Sequence, residues 1–312
     1  MKYIGDLITE IRRDTRNEDV PTAGSEVGIA TDDFLRYANF AQEKCQAIAI
    51  SAKSTKFRTT KTISLVAGEI EISINDRVYL DEHILNVRFF PSSSDRDWYD
   101  LTEVPLDRRD DHPGNPVHYI RKGRNLLLCP VYNSSGARIK ATYDRTVDSI
   151  DIRRGQITDS LTAAGYLVGL TLDTTSHDAD ALARAQYLCI NDAFGNVTMY
   201  NIPIVGYNSS TGVVAVKDTS FLYQSGETAD VGSYVTVGEY TTTHGKLNQL
   251  CERYMAQYME YKIFRRDSSN DASAARDDMR ETLKEIQTGY AETPRDDADI
   301  VISNSELMVG TW

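Results

Sequence analysis

Residues 2 to 13 place Ile4, Leu7, Ile8 and Ile11 at the i, i+3, i+4, i+7 spacing of one helical face, which predicts a short amphipathic helix. Asp6, Glu10, Arg12 and Arg13 turn elsewhere. After a polar loop with Pro21, Gly24 and Gly28, Thr31 offers a hydroxyl N-cap, and Asp32 and Asp33 suit the positive end of the helix dipole. Phe34, Leu35, Ala38, Ala41, Cys45, Ile48 and Ala49 then carry an apolar stripe to about Ala52, predicting a second, longer helix.

From Thr59 the apolar period falls to about two. Ile63, Leu65, Ile70, Ile72 and Ile74 flank a Gly68-Glu69 turn, which predicts a hairpin. Further strands are expected near 78–90, 117–121, 125–132 and 137–145, with 117–132 folded back at Lys122-Gly123. Between 156 and 241, short apolar runs such as Tyr166 to Leu172, Tyr187 to Ile190 and Val213 to Val216 alternate with turn residues, predicting a compact β-barrel or sandwich. Helical spacing returns at Leu247, Leu250, Cys251, Tyr254, Met255, Tyr258 and Tyr261, ending at Arg265-Arg266. Asp267 to Asn270 form a second break, and Ala275, Met279, Leu283, Ile286 and Tyr290 complete an αα-hairpin that Pro294 closes.

The fold class expected is α+β: a helical bundle of two N-terminal and two C-terminal helices carries an antiparallel β domain, with a β-barrel or sandwich inserted. The bundle is assigned to 1–57 and 242–292, the β domain to 58–155, the insertion to 156–241, and an extended arm to 293–312.

Composition narrows the function. The 312 residues are 41% hydrophobic and 26% charged, values of an ordinary globular chain. No apolar run approaches the roughly 20 residues that span a bilayer, and the start has no signal core, so synthesis in the cytoplasm is expected. The net charge of -12 argues against a general duplex-binding protein, because such affinity comes from neutralising phosphates. Residues 156–241 hold nine acidic side chains against Arg184 and Lys217, so more than half of that excess sits in the insertion. Cys45, Cys129, Cys189 and Cys251 are scattered among apolar neighbours without a CxxC pair, which predicts buried thiols.

Candidate chemistry is sparse. His177, Asp178 and Asp180 form the one close His and carboxylate cluster, and with Asp192 they are weak candidates for a hard divalent cation; an exposed turn explains them better. There is no GxSxG elbow, HExxH helix, Walker loop or GxGxxG, so neither a catalytic residue nor a cofactor is assigned. Lys53, Lys56, Arg58 and Lys61, interrupted by Phe57, read as a solvated connector; the functional version is contact with an acidic partner. Tyr254, Tyr258 and Tyr261 are a candidate subunit interface, with core packing as the default.

Three features in this order carry a resemblance. They are the Asp32-Asp33 to Gln42 run (Phe34-Leu35-Arg36-Tyr37-Ala38-Asn39-Phe40-Ala41-Gln42), the Pro116 to Pro130 run followed by Ile139-Lys140-Ala141-Thr142-Tyr143, and the closing helices around Tyr254 to Tyr258. Over about residues 1–155 and 245–292 the chain resembles the head-to-tail adaptor (connector) proteins of tailed bacteriophages, especially the short-tailed ones. That resemblance implies a virion structural protein without enzymatic activity. Twelve copies would form a ring below the portal, extend the DNA channel and offer a platform to the tail. Its partners would be itself, the portal and a tail protein, with genomic DNA passing through the lumen without specific binding and no membrane contact. Residues 156–241 depart from the shorter members of the family. Ile300, Val301, Ile302, Leu307, Met308, Val309 and Trp312 lie beyond a proline stop with no local core to join; the resemblance assigns them to the portal.

Two other readings compete. A tail or baseplate component would use the insertion as a carbohydrate- or receptor-binding module, with Tyr166, Tyr200 and Tyr207 on one sugar-stacking surface. A hydrolase assembled from distant positions would draw on His177, His244, Asp178 and Asp192.

Overall fold

The computed structural model describes residues 2–16, 29–69, 71–74, 77–79, 83–92, 96–109, 112–123, 125–134, 136–217 and 229–292. Among these residues it is a mixed α+β fold with five α-helices, several sheets and one closed six-stranded barrel. Two compact units emerge: Met1–Ile48 with Val147–Glu292, and a second that contains Ala49–Thr146.

In the first unit the N-terminal stripe folds as expected into α1 (Ile4–Asp14), burying Ile4, Leu7, Ile8 and Ile11. Arg12, expected to face away, is also buried: its guanidinium lies 4.8 Å from the Phe34 ring and donates to the Thr31 hydroxyl at 3.2 Å. That contact bears on the start of α2 (Thr31–Ser51). Thr31 is the first helical residue and not the cap, because the Ala30 carbonyl already accepts from the amides of Asp33 and Phe34. Its hydroxyl serves Arg12 instead.

α2 also buries two polar residues, Gln42 and Gln46. With Asn39 they form a polar line along the helix that satisfies an extended backbone at 147–150. Asn39 accepts from the Ile150 amide at 2.6 Å and donates to its carbonyl at 2.9 Å. Gln42 donates to the Asp148 carbonyl, and Gln46 accepts from the Val147 amide. Buried backbone groups need partners, and here the short β9 (Ser149–Ile150), paired only with β16 (Thr241–Thr242), takes them from side chains.

The acidic segment builds the barrel. Its strand order is β10 (Gly155–Ala163), β11 (Tyr166–Leu172), β14 (Val213–Val216), β13 (Val197–Asn208), β12 (Tyr187–Asn191) and β15 (Tyr234–Val237). Pairing of Gly155 with Val235 closes it, so the sheet has no free edge. Ile157, Leu167, Leu170, Leu188, Ile190, Ile202, Val214 and Val235 fill the interior. The one-turn helix α3 (Ala179–Arg184) precedes β12. Two long helices follow, α4 (Gln249–Arg266), capped by the Asn248 side chain on the Cys251 amide, and α5 (Ala272–Glu292). Arg253 near the start of α4 reaches Glu285 near the end of α5 at 3.4 Å, so the pair runs antiparallel as the αα-hairpin reading requires.

The second unit is a sandwich of two four-stranded sheets. One has the order β1 (Arg58–Ser64), β8 (Arg138–Asp144), β3 (Ile84–Phe90), β4 (Tyr99–Asp100). The other has β2 (Glu71–Ser73), β7 (Asn125–Cys129), β6 (His118–Lys122), β5 (Thr102–Glu103). Ile72, Ile74, Val87, Phe89, Leu126, Leu128, Ile139 and Tyr143 form the core. The expected β6–β7 hairpin is present, with Gly123 at φ +59°.

The expected hairpin around Gly68-Glu69 is not. β1 pairs with β8 and β2 with β7, in different sheets. Beyond Ser64 the Leu65 amide goes to Ala137, and the Gly68 amide goes to Tyr132. A sandwich corner and a hairpin share the same local signal, two alternating runs around a glycine, and only the distant partners β7 and β8 separate them. The strand expected at 78–90 begins at Ile84; Val78 makes an isolated bridge to Arg145.

Candidate functional site

Asp178, in the cluster weighed as a cation site, is engaged by the protein itself. It caps α3 by accepting from the Ala181 amide and takes the Arg154 guanidinium at 2.7 Å. Arg154 also clasps Asp151 through Nε at 3.0 Å and Nη2 at 2.8 Å, and reaches Asp32 of α2 at 3.2 Å. Burial alone would lower the Arg154 pKa, but Asp151, Asp178 and Asp32 outweigh it and hold it raised. His177 turns its Nδ1 to the Asp173 carbonyl at 3.0 Å and its edge to the Tyr207 ring, while Asp180 sits in the first turn of α3. Among the described residues, no three His, Cys, Asp or Glu side chains are grouped to hold a metal. What the cluster does in the fold is tie β10, α3 and the start of α2 to one guanidinium.

Two other residues considered for hydrolysis, Asp192 and His244, lie near one another at the β12–β13 turn, but each is engaged by its own neighbours, and neither is grouped with His177 and Asp178 among the described residues. Asp192 organises the β12–β13 turn, accepting from the amides of Phe194 and Asn196 at 2.8 Å each. His244 Nδ1 contacts the Thr243 hydroxyl at 2.8 Å, and its pKa is lowered to about 4 by burial, then by Arg153 and Lys246. Tyr200, one of the three rings considered for sugar stacking, bonds Asp148 at 3.0 Å and leans on Tyr240; Tyr166 and Tyr207 are half-buried.

The tyrosine face of α4 is divided. Tyr254 is 2% exposed, and burial, then Cys45 and Tyr258, push its pKa up to about 12. Tyr258 is buried and Tyr261 half-buried. What reaches the surface here is Phe40 of α2, half exposed and stacked on Tyr258 at 5.3 Å, with Lys262 Nζ 5.2 Å from the Tyr258 ring. The thiols are structural: all four cysteines are buried and free, and Cys251 followed by burial pushes the Cys45 pKa up, away from a reactive thiolate. An open cleft of about 550 Å³ lies along α1, lined by Tyr3, Ile8, Thr9, Arg12, Arg13 and Thr31.

One surface feature escaped the sequence reading. Phe194 is 81% exposed at a turn held by Asp192 and by Lys246 and Thr242 on the Gly195 carbonyl. The Asp-Ala-Phe-Gly run signals the turn, yet nothing local says that the ring stays in water. Phe57, considered as a ring interleaved with cations, is buried, and Lys56 lies in a short 3-10 turn, which fits the connector reading of 53–61. Ile300, Val301, Ile302, Leu307, Met308, Val309 and Trp312 lie outside the described residues.

No curated protein matches this chain. A family model described as SU10 adaptor protein matches residues 1–194 of the 312, more than half of the chain. The match takes in α1, α2, the whole β sandwich and the barrel strands β10 to β12, and stops before β13. It therefore reaches into the segment expected to depart from the adaptor pattern, while α4 and α5, on which the resemblance partly rested, lie beyond it. With the order of helices and sandwich on one side and a match across most of them on the other, the chain belongs to the SU10 adaptor protein family, a family of bacteriophage structural adaptors and not of enzymes.

Proposed function

We propose that this protein is the head-to-tail adaptor of a short-tailed phage, a virion protein of which about twelve copies form a ring below the portal. The observation that carries the reading is the family match over residues 1–194. The ring extends the DNA channel and presents a docking surface to a tail protein. In this reading the two N-terminal and two C-terminal helices are the bundle of the ring, residues 58–155 and 156–241 are modules carried on it, and 293–312 is an arm. The apolar residues of the arm, Ile300, Val301, Ile302, Leu307, Met308, Val309 and Trp312, clasp the portal, since they form two apolar runs beyond Pro294. Tyr258 and Tyr261, with Phe40 beside them, contribute to contacts between copies, and Tyr254 supports them from the core. An acidic ring suits a channel, because a net charge of -12 discourages the phosphate binding that would stall a passing genome.

The test is negative-stain imaging of the purified protein mixed with the portal ring encoded by the same genome. A new rotationally symmetric layer on the portal is expected, and it should be lost on truncation after Thr293 while the circular dichroism of the truncated protein is unchanged. A portal that stays bare at high excess of the full chain would refute the adaptor role. A truncated chain that still forms the layer would refute the role of the arm alone.

A further inference from the structure

α4 and α5 run antiparallel, and two contacts fix their register: Arg253 reaches Glu285 at 3.4 Å, and the Cys251 thiol meets the Tyr290 hydroxyl at 3.9 Å. Arg253, Gln257 and Glu260 follow one another at i, i+4 and i+7, so they share the α4 face turned to α5. Glu285, Thr282 and Asp278 step back along α5 by three and then four residues and share its facing side. The rows therefore meet as Arg253 with Glu285, Gln257 with Thr282, and Glu260 with Asp278. The first level pairs opposite charges. The last sets two carboxylates against each other, which works against the hairpin, because like charges at neighbouring helix positions are destabilising.

A third helix adds charge of the same sign. α1 packs against α4, and the Glu260 carboxyl has its pKa raised first by burial and then by Asp14, Asp278 and Glu10. The nearby cations are committed elsewhere. Lys2 holds Glu10 at 2.6 Å, Arg13 holds Asp14 at 3.4 Å, and Arg276 and Arg280 lie 3.6 and 3.9 Å from Asp277. Among the described residues, no lysine or arginine pairs with Glu260 or Asp278. Outside the described residues the chain carries two basic side chains, Arg124 and Arg295, whereas the stretch that follows α1 brings Glu18, Asp19 and Glu26. Arg124 belongs to the second unit, and Arg295 follows the end of α5 that lies about 21 Å of helix beyond Asp278.

Two neutral oxygens lie one turn away. Gln257 Oε1 and Thr282 Oγ1, set at the same level by the register, are buried without a hydrogen-bond partner, and Thr282 is 0% exposed on the side of α5 that faces α4. A buried oxygen without a donor is costly, so the stability of the bare chain does not account for two of them beside two like charges. Two carboxylates, an amide carbonyl and a hydroxyl are the donors that a hard divalent cation takes, with water in its remaining positions. The set needs no third carboxylate, in keeping with the absence of any three grouped His, Cys, Asp or Glu side chains among the described residues. Residues three or four apart on facing helices are also the spacing with which helical bundles build metal sites. We propose that α4 and α5 hold a hard divalent cation, Mg²⁺ or Ca²⁺, on the Glu260 and Asp278 carboxylates, with the Gln257 carbonyl and the Thr282 hydroxyl as neutral ligands. Asp278 is exposed, which opens the site to solvent, and Glu10 and Asp14 supply outer negative charge. The ion turns a repulsion between the two helices into a bridge. The inference does not rest on the adaptor reading, since α4 and α5 lie beyond residues 1–194.

The experiment is isothermal titration calorimetry of the EDTA-treated full chain with MgCl2 and with CaCl2, joined to thermal denaturation followed by helical circular dichroism, with NaCl at matched ionic strength as the control. Binding of at least one of the two cations is expected, with a Kd of roughly 10⁻⁴ to 10⁻³ M for a site of few charged ligands. About 10 mM of that cation should raise Tm by on the order of 5 °C. Affinity should fall between about pH 7 and about pH 5, because protons compete for the Glu260 carboxyl, whose pKa is raised. Glu260→Gln should bind about tenfold more weakly, and its metal-free Tm should be no lower than that of the parent, because one like charge is gone. Asp278→Asn changes an exposed residue and should weaken binding to the same degree without touching the core. Thr282→Val keeps the side-chain shape and should bind several-fold more weakly, whereas a hydroxyl with only a packing role would leave affinity unchanged. Absence of heat with both cations overturns the proposal, as does a Tm rise no larger than that given by matched NaCl. Parental affinity in any of the three variants overturns it too.

Discussion

Replacing Arg154 tests how the barrel is anchored to α2. The side chains of Arg154 and Asp151 are 11% and 7% exposed, and the guanidinium meets the carboxylate through two nitrogens, at 3.0 and 2.8 Å. Asp151 also accepts from the Val237 amide at 2.8 Å, so it is built into the barrel as well. Arg154→Met leaves that carboxylate buried without its cation, a loss of about 3 to 5 kcal/mol. The exposed partner contributes little: Asp32 is 79% exposed, and Asp32→Asn should cost less than about 0.5 kcal/mol. In a unit of this size each kcal/mol moves Tm by about 2 to 4 °C, so Arg154→Met should lower it by on the order of 10 °C. The assay is urea and thermal denaturation followed by helical circular dichroism. Adding Asp151→Asn to Arg154→Met should recover more than half of the loss, because the amide oxygen still accepts from Val237 and the unpaired charge is gone. There is a pH signature too. Burial pushes the Asp151 pKa up, with Arg154 and the Val237 amide pulling it down. Without Arg154 it rises further, so the deficit of the variant should be largest at neutral pH and narrow as the carboxyl protonates in acid. A loss under about 1 kcal/mol, or a double variant no better than the single, would refute this account.

Two further outcomes are expected. Gly195 has φ +81°, and a Cβ there would overlap the His244 imidazole, so Gly195→Ala should cost about 2 to 4 kcal/mol, whereas Gly232→Ala, at φ +92° in open space, should cost about 1; equal urea midpoints for the two would sink the steric argument. His244 is held near pKa 4, below the ordinary 6.5, so its contribution is fully present above about pH 6.5 and is lost as the pH falls toward 4. Discounted for partial exposure, the loss is on the order of 2 kcal/mol, and it should vanish in His244→Asn; a variant with the same pH profile as the parent would exclude His244 as its source.

Local pattern determined much of this protein. The i, i+3, i+4, i+7 stripes of α1, α2 and α4 named most of the positions that are buried, and in α5 only Ile286 and Tyr290 of the stripe, because a helix closes its own hydrogen bonds and leaves its apolar stripe to be covered. Short β-rich runs between turn residues announced a barrel or a sandwich, of which the strand pairing selects the closed barrel, and the order of these elements was enough to bring the adaptor family to view. Strand partnership was not legible. β1 and β2 read as a hairpin because a ribbon and a sandwich corner differ only in partners more than 50 residues away. Polar positions were the other blind spot. Asn39, Gln42 and Gln46 look like solvent-facing residues until the backbone at 147–150 lies against them, and Arg154 is an unremarkable arginine until three carboxylates from 32, 151 and 178 converge on it. The same holds for Glu260 and Asp278, ordinary helix carboxylates along the chain, which the antiparallel turn of α5 on α4 sets face to face. Burying an apolar side chain is a non-directional gain that periodicity records along the chain, whereas a buried polar or charged group needs a particular partner, and only the tertiary structure supplies it.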